Sequence, residues 1–209
     1  METRGFGRRR TTKTLASAAL TLAVGVGLGT GTSYAGAPAP APAPVSAADG
    51  MAAAAKPKFQ MPFKCDTRWR IDTWGHNPAV DIVVKGNTGS SGKPVHPGYK
   101  GTVVQTFWDR GAGNVIIISH GSGWYTAYYH LKEKHDKYVQ KGDGVGAKTL
   151  IGHIGATGGN SGDWAHLHYE QRYRTDGIPT EAHRKPVHFN GVKYTGAAET
   201  WKDVKSRNC

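Results

Sequence analysis

Cysteine is nearly absent from this chain of 209 residues, and acidic residues are far fewer than basic ones. Two cysteines are too few for a disulfide-dense miniature scaffold or for a zinc module with four thiolate ligands. The sequence also lacks the 3.6-residue apolar periodicity of a helical bundle or coiled coil, and it has no internal repeat. Any metal ion must therefore be held by histidine and carboxylate side chains.

Glycine is abundant instead, with 29 residues, and turns rich in Gly, Asn or Ser separate short apolar stretches. Six stretches have the length and the β-branched or aromatic content of strands. They are residues 79–84, 101–107, 114–119, 124–131, 149–154 and 166–173. We therefore expect an all-β domain with few helices.

The first 35 residues are typical of a cleaved export signal. Four arginines and one lysine precede an uncharged stretch, residues 14–34, and Ser33 and Ala35 are the small residues that a signal peptidase recognises. A membrane anchor is the alternative, although Gly and Thr dilute the apolar run. We expect a secreted protein, associated with the cell wall, that keeps no stable membrane anchor after cleavage.

Residues 36–57 form a second segment, in which alanine and proline alternate before an alanine tract. Proline repeats favour extended polyproline II, so we expect a semi-rigid linker and place the folded domain at residues 58–209. Cys65 and Cys209 lie near the two ends of that domain. In an oxidising compartment they would form one disulfide, and a free or intermolecular thiol is the alternative.

Positive charge dominates the chain, with 27 Lys and Arg against 15 Asp and Glu and a net charge of +12. After position 35 there remain 22 basic and 14 acidic residues, a net charge of +8. Such a charge suits polyanions, among them bacterial wall polymers, nucleic acid and anionic lipid. Because the basic residues are scattered and no nucleic-acid signature is present, we expect no nucleic-acid partner. We also expect a monomer.

A His-x-His pair marks the last predicted strand. Side chains at i and i+2 of a strand point to the same face with Cα atoms about 7 Å apart, so His166 and His168 converge. Leu167 and Tyr169 then fall on the opposite, buried face. Glu170 joins the histidines on the open face, where it would orient a metal ligand or pair with a surface base.

A second candidate cluster joins His76 to Asp81. Pro78 keeps Asn77 out of helical geometry, so the segment is a turn that could bring both side chains to one point. A catalytic zinc takes three histidine or carboxylate ligands and leaves one position for water, and His76, Asp81 and His168 would supply that set. A surface turn residue and a strand cap are the alternatives for His76 and Asp81.

Four separated segments carry these residues in a recognisable order. They are His76 with Asp81, Tyr128-Tyr129-His130-Leu131, residues 151–158, and His166-Leu167-His168-Tyr169-Glu170. In order and spacing they resemble the lysostaphin-type (LytM-like) zinc metallopeptidases, which cut peptidoglycan peptides. The resemblance covers about residues 71–172 and implies a mostly antiparallel, sandwich-like β domain with a groove. It also implies a zinc ion held by His76, Asp81 and His168, with catalytic roles for His130 and His166.

The first segment departs from the family pattern. The family has three residues between the histidine and the aspartate, with a central glycine, whereas four residues, 77–80, intervene here. The extra residue is absorbed by a wider turn, or it misplaces Asp81.

The base for catalysis must be a histidine, because no His-Glu-x-x-His motif supplies a glutamate. One of His130 and His166 would act on the water and the other would stabilise the oxyanion, and the sequence leaves open which does which. Trp74 and Trp164, beside the motif histidines, are expected to line a peptide groove.

These features predict a secreted zinc metalloendopeptidase that hydrolyses amide bonds in peptidoglycan peptide stems or crossbridges. The alternative is a catalytically inactive, wall-binding or regulatory LytM-like domain. A third hypothesis, a protein that binds polyanions through its basic surface alone, predicts binding that weakens steeply with salt.

Overall fold

The structure is a computed structural model that describes residues 55–72, 75–86, 88–194 and 201–209. The predicted export signal lies outside the described residues, as does most of the predicted linker. The described part is almost entirely β structure, with one short 3-10 helix at Glu181–His183 among the residues described. The prediction of an all-β domain is confirmed. Within the same residues, no helix has the length and apolar character needed to cross a membrane.

The strands follow one another closely along the chain. Their bounds are β1 Arg68–Asp72, β2 Val80–Val84, β3 Pro94–Val95, β4 Gly101–Asp109, β5 Gly113–Ser119, β6 Trp124–Leu131, β7 Gly144–Val145, β8 Gly152–His153, β9 Leu167–Tyr173, β10 Arg184–Lys185, β11 His188–Phe189, β12 Val192–Lys193 and β13 Trp201–Lys205. Five of the six predicted stretches are strands with ends within two residues of the expected ones. Residues 149–154 form only the two-residue strand β8, which pairs with the equally short strand β3.

One large antiparallel sheet organises the domain. Its strands lie in the order β13-β1-β2-β9-β6-β5-β4-β7, and β10 adds to one end of β9. Two antiparallel ribbons, β3-β8 and β11-β12, complete the described strands. Strands from the two ends of the domain, β1 and β13, therefore pair at one side of the sheet.

Apolar side chains cover one face of the large sheet. Ile71, Ile82 and Tyr169 come from three neighbouring strands and are fully buried in the main core cluster. Val95 of the β3-β8 ribbon and Phe189 of the β11-β12 ribbon belong to the same cluster. The ribbons thus form a second layer over this face, and the layered, sandwich-like architecture follows from the need to bury it.

The other face of the sheet carries a row of polar residues. Asp72, Asp81, His168 and Tyr129 are direct cross-strand neighbours on β1, β2, β9 and β6. Directly paired residues in antiparallel strands project from the same face, so these four side chains share it. The candidate site lies on this row.

A disulfide joins Cys65 to Cys209, which are 144 residues apart in the sequence. Hydrogen bonds hold the same two chain ends together: the Ser206 hydroxyl donates to the Phe63 carbonyl at 2.7 Å, and the Asn208 side chain donates to the Pro97 carbonyl at 3.0 Å. The C-terminal residues are consequently part of the packed domain.

Replacing Cys65 and Cys209 together with serine should lower the free energy of unfolding. Closing a loop of 144 residues restricts the unfolded chain by as much as about 5 kcal/mol in the chain-entropy model. Denaturant titrations of both proteins in the presence of a chelator measure the loss without a contribution from bound metal. An unchanged unfolding midpoint would contradict a stabilising role for this bond.

Candidate metal centre

Asp81 lies at the centre of the polar row, with only 1% of its surface exposed. Its Oδ2 lies 3.1 Å from His76 Nε2, and its Oδ1 lies 2.9 Å from His168 Nδ1. The candidate ligand atoms of these three residues all lie within 4.8 Å of one another. The structure therefore brings the three predicted ligands together.

A turn closes the gap between His76 and Asp81. The Ala79 amide donates to the His76 carbonyl at 2.7 Å, and the Asn77–Pro78 peptide bond in this turn is cis. Strand β2 then begins at Val80, which puts Asp81 opposite His168 in the sheet. The four-residue spacing is accommodated by the wider turn, and Asp81 is not displaced from the cluster.

The donor set suits zinc. Two imidazoles and one carboxylate are the usual protein ligands of a catalytic zinc ion, which keeps a further position for water or substrate. Asp81 and His168 are buried, whereas the His76 side chain is exposed at the mouth of a cavity that His130, His168 and Asn160 also line. The residues present fit such an ion, held between a buried pair and one exposed histidine.

Glu170 holds the orientation of the His168 ring. Its Oε1 accepts a hydrogen bond from His168 Nε2 at 3.0 Å, and Arg172 and Arg184 contact the same carboxylate. Burial raises the pKa of Glu170, but the hydrogen bond from His168 and the charges of the two arginines outweigh burial and lower it. An ionised Glu170 can only accept, so Nε2 carries a proton. When His168 is neutral, as a metal ligand must be, its lone pair is therefore on Nδ1, on the side of Asp81.

The protonation of the metal-free cluster follows from these contacts. Burial lowers the pKa of His168, but the hydrogen bonds and charges of Asp81 and Glu170 outweigh it and raise the pKa to about 9. Burial raises the pKa of Asp81, and the three surrounding histidines more than reverse this and lower it. The metal-free site thus holds an ionised Asp81 and a protonated His168, and a bound cation would displace that proton.

His130 reaches the cluster through a β-bulge. Strict alternation along β6 would put His130 on the same face as Tyr128, which is in the apolar core. The pairing of β5 with β6 shifts register between Asn114 and Ile116, and His130 has a φ of 59°, in the left-handed region. The ring consequently turns to the polar side, with its centroid 4.8 Å from that of His166.

Hydrogen bonds to backbone carbonyls hold the proton of His130 and of His166 on Nδ1. His130 Nδ1 donates to the Thr157 carbonyl at 2.7 Å, and His166 Nδ1 donates to the Trp164 carbonyl at 2.9 Å. Burial lowers the pKa of His130 to about 4 and also lowers that of His166. At neutral pH both rings are therefore neutral, with the lone pair on Nε2 available to take a proton.

Trp74, Trp164 and Glu170 were also predicted to lie near the site. Trp164 stacks on His166 with ring centroids 4.2 Å apart, whereas Trp74 lies outside the described residues. Glu170 has both of the contacts that were expected as alternatives, since it binds the candidate metal ligand His168 and also pairs with Arg172 and Arg184. Arg172 and Arg184, which lie beside it, were not among the predicted site residues. Arg172 could have been found, because it continues the i, i+2 alternation of His168 and Glu170 on β9.

Part of this chain is similar in sequence to known proteins. It is 32% identical over 125 residues to the cell division protein DipM of Caulobacter vibrioides, covering 58% of this chain and 19% of DipM. It is 34% identical over 116 residues to the peptidoglycan DD-endopeptidase ShyA of Vibrio cholerae, covering 52% of this chain and 26% of ShyA. Among solved structures it is similar to a zinc containing peptidase from Vibrio cholerae, with 30% identity, a TM-score of 0.43, and coverage of 55% of this chain and 36% of that one.

The chain spans only about a quarter of these curated relatives or less. It also matches, over residues 77–181, the family model described as Peptidase family M23. That span is about half of the 209 residues, and it contains Asp81, His130, His166 and His168. The resemblance inferred from the four sequence segments is confirmed: the chain belongs to peptidase family M23.

Proposed function

We propose that this protein is an active zinc metalloendopeptidase that cleaves amide bonds in the peptides of peptidoglycan. The observation that carries the proposal is the convergence of five side chains from distant parts of the sequence. His76, Asp81 and His168 form the candidate ligand set, and His130 and His166 lie beside it with neutral rings.

Each of these residues has a role that its contacts support. A zinc ion bound at such a site lowers the pKa of a bound water and polarises the scissile carbonyl. His76, Asp81 and His168 would hold the ion, and Glu170 would keep the His168 ring in place. An Nε2 lone pair of His130 or His166 would take the proton of the water, and the ring protonated in this way would donate to the developing oxyanion and return the proton to the leaving amine.

An inactive wall-binding or regulatory domain is the alternative function. A domain that had abandoned hydrolysis would have no need to keep Asp81 buried among three histidines, because burying a charged carboxylate costs free energy even when it is paired. The complete set of five residues therefore favours the enzyme.

The proposal includes action outside the cytoplasm. The disulfide between Cys65 and Cys209 supports it, since such bonds persist in oxidising compartments, and the basic segment followed by an uncharged stretch in residues 1–35 is typical of export. The basic surface would attract the protein to an anionic wall.

Metal removal tests the proposal. The full chain, purified with zinc in the buffer, should contain about one zinc per chain and should release new amino groups from purified peptidoglycan. Treatment with a chelator should abolish this release, and added zinc should restore it. A protein that holds one zinc and binds the wall without releasing amino groups would be the inactive domain, and wall binding without zinc would contradict the metal site as well.

A further inference from the structure

An exposed tryptophan lies on the face of the sheet that carries the candidate centre, outside the residues matched by the family model. Trp201 begins β13, at one side of the large sheet, and 41% of its surface is exposed. Tryptophan is enriched at binding interfaces, where its ring buries a large apolar area and its N–H finds a partner.

Trp201 belongs to the same row of cross-strand neighbours as the metal ligands. It pairs with Asp72 of β1, Asp72 pairs with Asp81 of β2, and Asp81 pairs with His168 of β9. Its side chain therefore projects from the face that carries the candidate centre. Three strand spacings separate Trp201 from His168, a distance of about 14 Å.

Trp164 bridges the space between Trp201 and the catalytic histidines. Its ring stacks on His166 at 4.2 Å between centroids and meets the Trp201 ring edge-on at 6.4 Å. The aromatic surface thus continues from the candidate centre to the edge of the sheet.

Polar groups border this aromatic surface. The Arg70 guanidinium lies 5.9 Å from the centroid of the Trp201 ring, and its Nε donates to Asp203 at 2.9 Å. Lys85 contacts the other oxygen of the same carboxylate at 3.0 Å. Fixed polar groups beside an exposed indole match a sugar ring, which offers C–H groups on its face and hydroxyls at its rim.

The separation between Trp201 and His168 is similar to the length of a peptide attached to a glycan. Four extended residues span about 13 to 14 Å, which is the separation between Trp201 and His168 along the row. A sugar ring on Trp201 would therefore lie about one peptide stem away from a bond at the candidate centre. Self-association through β13 fits less well, because Lys202 and Lys205 on this edge strand oppose the pairing of a second strand.

We propose that Trp201 and Trp164, with Arg70 at their border, form a subsite for a sugar ring of the peptidoglycan glycan chain. The proposal rests on the proposed function for the choice of polymer. The subsite would let the enzyme hold the glycan while the attached peptide reaches the candidate centre.

Trp201→Ala tests the subsite in the full zinc-loaded chain, with two readouts. The first compares kcat/KM on intact peptidoglycan with kcat/KM on crosslinked peptides from which the sugars have been removed. The ratio of the two should fall about tenfold in the variant, chiefly through KM on the intact polymer. The second is binding of peptide-free glycan chains, which should weaken by a similar factor. Trp108→Ala, which removes an exposed tryptophan of β4 at the other side of the sheet, is the matched control.

The outcomes separate the subsite from the proposed function. Glycan binding that depends on Trp201 in a protein that cuts no peptide would support the subsite and overturn the peptidase. Peptide cleavage with an unchanged ratio, together with glycan binding that Trp201→Ala does not weaken, would overturn the subsite and support the peptidase. An equal loss on both substrates would assign Trp201 to the structure of the domain and would also overturn the subsite.

Discussion

Replacing His168 with alanine should remove bound zinc and abolish hydrolysis of the wall. This ring contacts Asp81 through Nδ1 and Glu170 through Nε2, so it links the candidate ligand set to the buried carboxylate behind it. Its loss leaves only His76 and Asp81 for the metal. We expect zinc affinity to fall by more than the roughly 10- to 100-fold that removal of an outer-shell partner costs.

The measurements are zinc affinity, by competition with a chromophoric chelator, and amine release from peptidoglycan. His153→Ala is the matched control, because His153 also lies against a carboxylate, with Nδ1 2.9 Å from Glu133, and is not in the metal cluster. The control should keep both zinc and hydrolysis. Retention of zinc at full affinity in His168→Ala would remove His168 from the ligand set.

Zinc binding by the native chain should release a proton near neutral pH. The contacts with Asp81 and Glu170 raise the pKa of His168 to about 9, so the metal-free ring is charged at pH 7 and must lose its proton to bind a cation. The apparent zinc affinity should therefore fall further as the pH drops below about 9. The same titration in His168→Ala should show no release of this proton. The difference between the two proteins tests the role of His168 independently of hydrolysis.

Replacing His166 or His130 with glutamine should lower kcat by roughly 10²- to 10⁴-fold while zinc remains bound. Glutamine places a polar amide near the position of each Nε2, but it cannot take a proton from water. Neither ring belongs to the set of residues whose ligand atoms converge. The expected result is a loaded and folded protein with little activity.

The pH dependence of kcat/KM distinguishes the two histidines. Both rings are neutral at pH 7 because burial lowers their pKa values, that of His130 to about 4. The variant that lacks the general base should lose the acid limb of the profile, whereas loss of the other ring should lower the whole profile without changing its shape. His153→Gln is the control, and loss of zinc from either variant would contradict a purely catalytic role.

Local sequence spacing predicted the faces of β9 correctly. Leu167 and Tyr169 lie in the apolar core, and His168 and Glu170 lie on the opposite face. The expectation that this second face is open was wrong, since Glu170 is 1% exposed. Arg172 and Arg184 cover it, and Arg184 comes from β10, a two-residue strand with no signal of its own in the sequence.

The number of residues between His76 and Asp81 did not predict whether Asp81 would reach the site. One additional residue between His76 and Asp81 left two outcomes open, because the length of a turn does not determine where its ends lie. The backbone contact between Ala79 and His76 and the pairing of Asp81 with His168 decided between them.

The sequence by itself determined the all-β class, the family and the residues with the chemistry to bind metal and move protons, because strand alternation and side-chain type are local properties. Only the tertiary structure decided that a bulge turns His130 away from the core and that Trp201 joins the row of Asp81 and His168. Both depend on hydrogen bonds between strands that are distant in the sequence. The stability of such pairings comes from the packing of the whole sheet, which no short segment encodes.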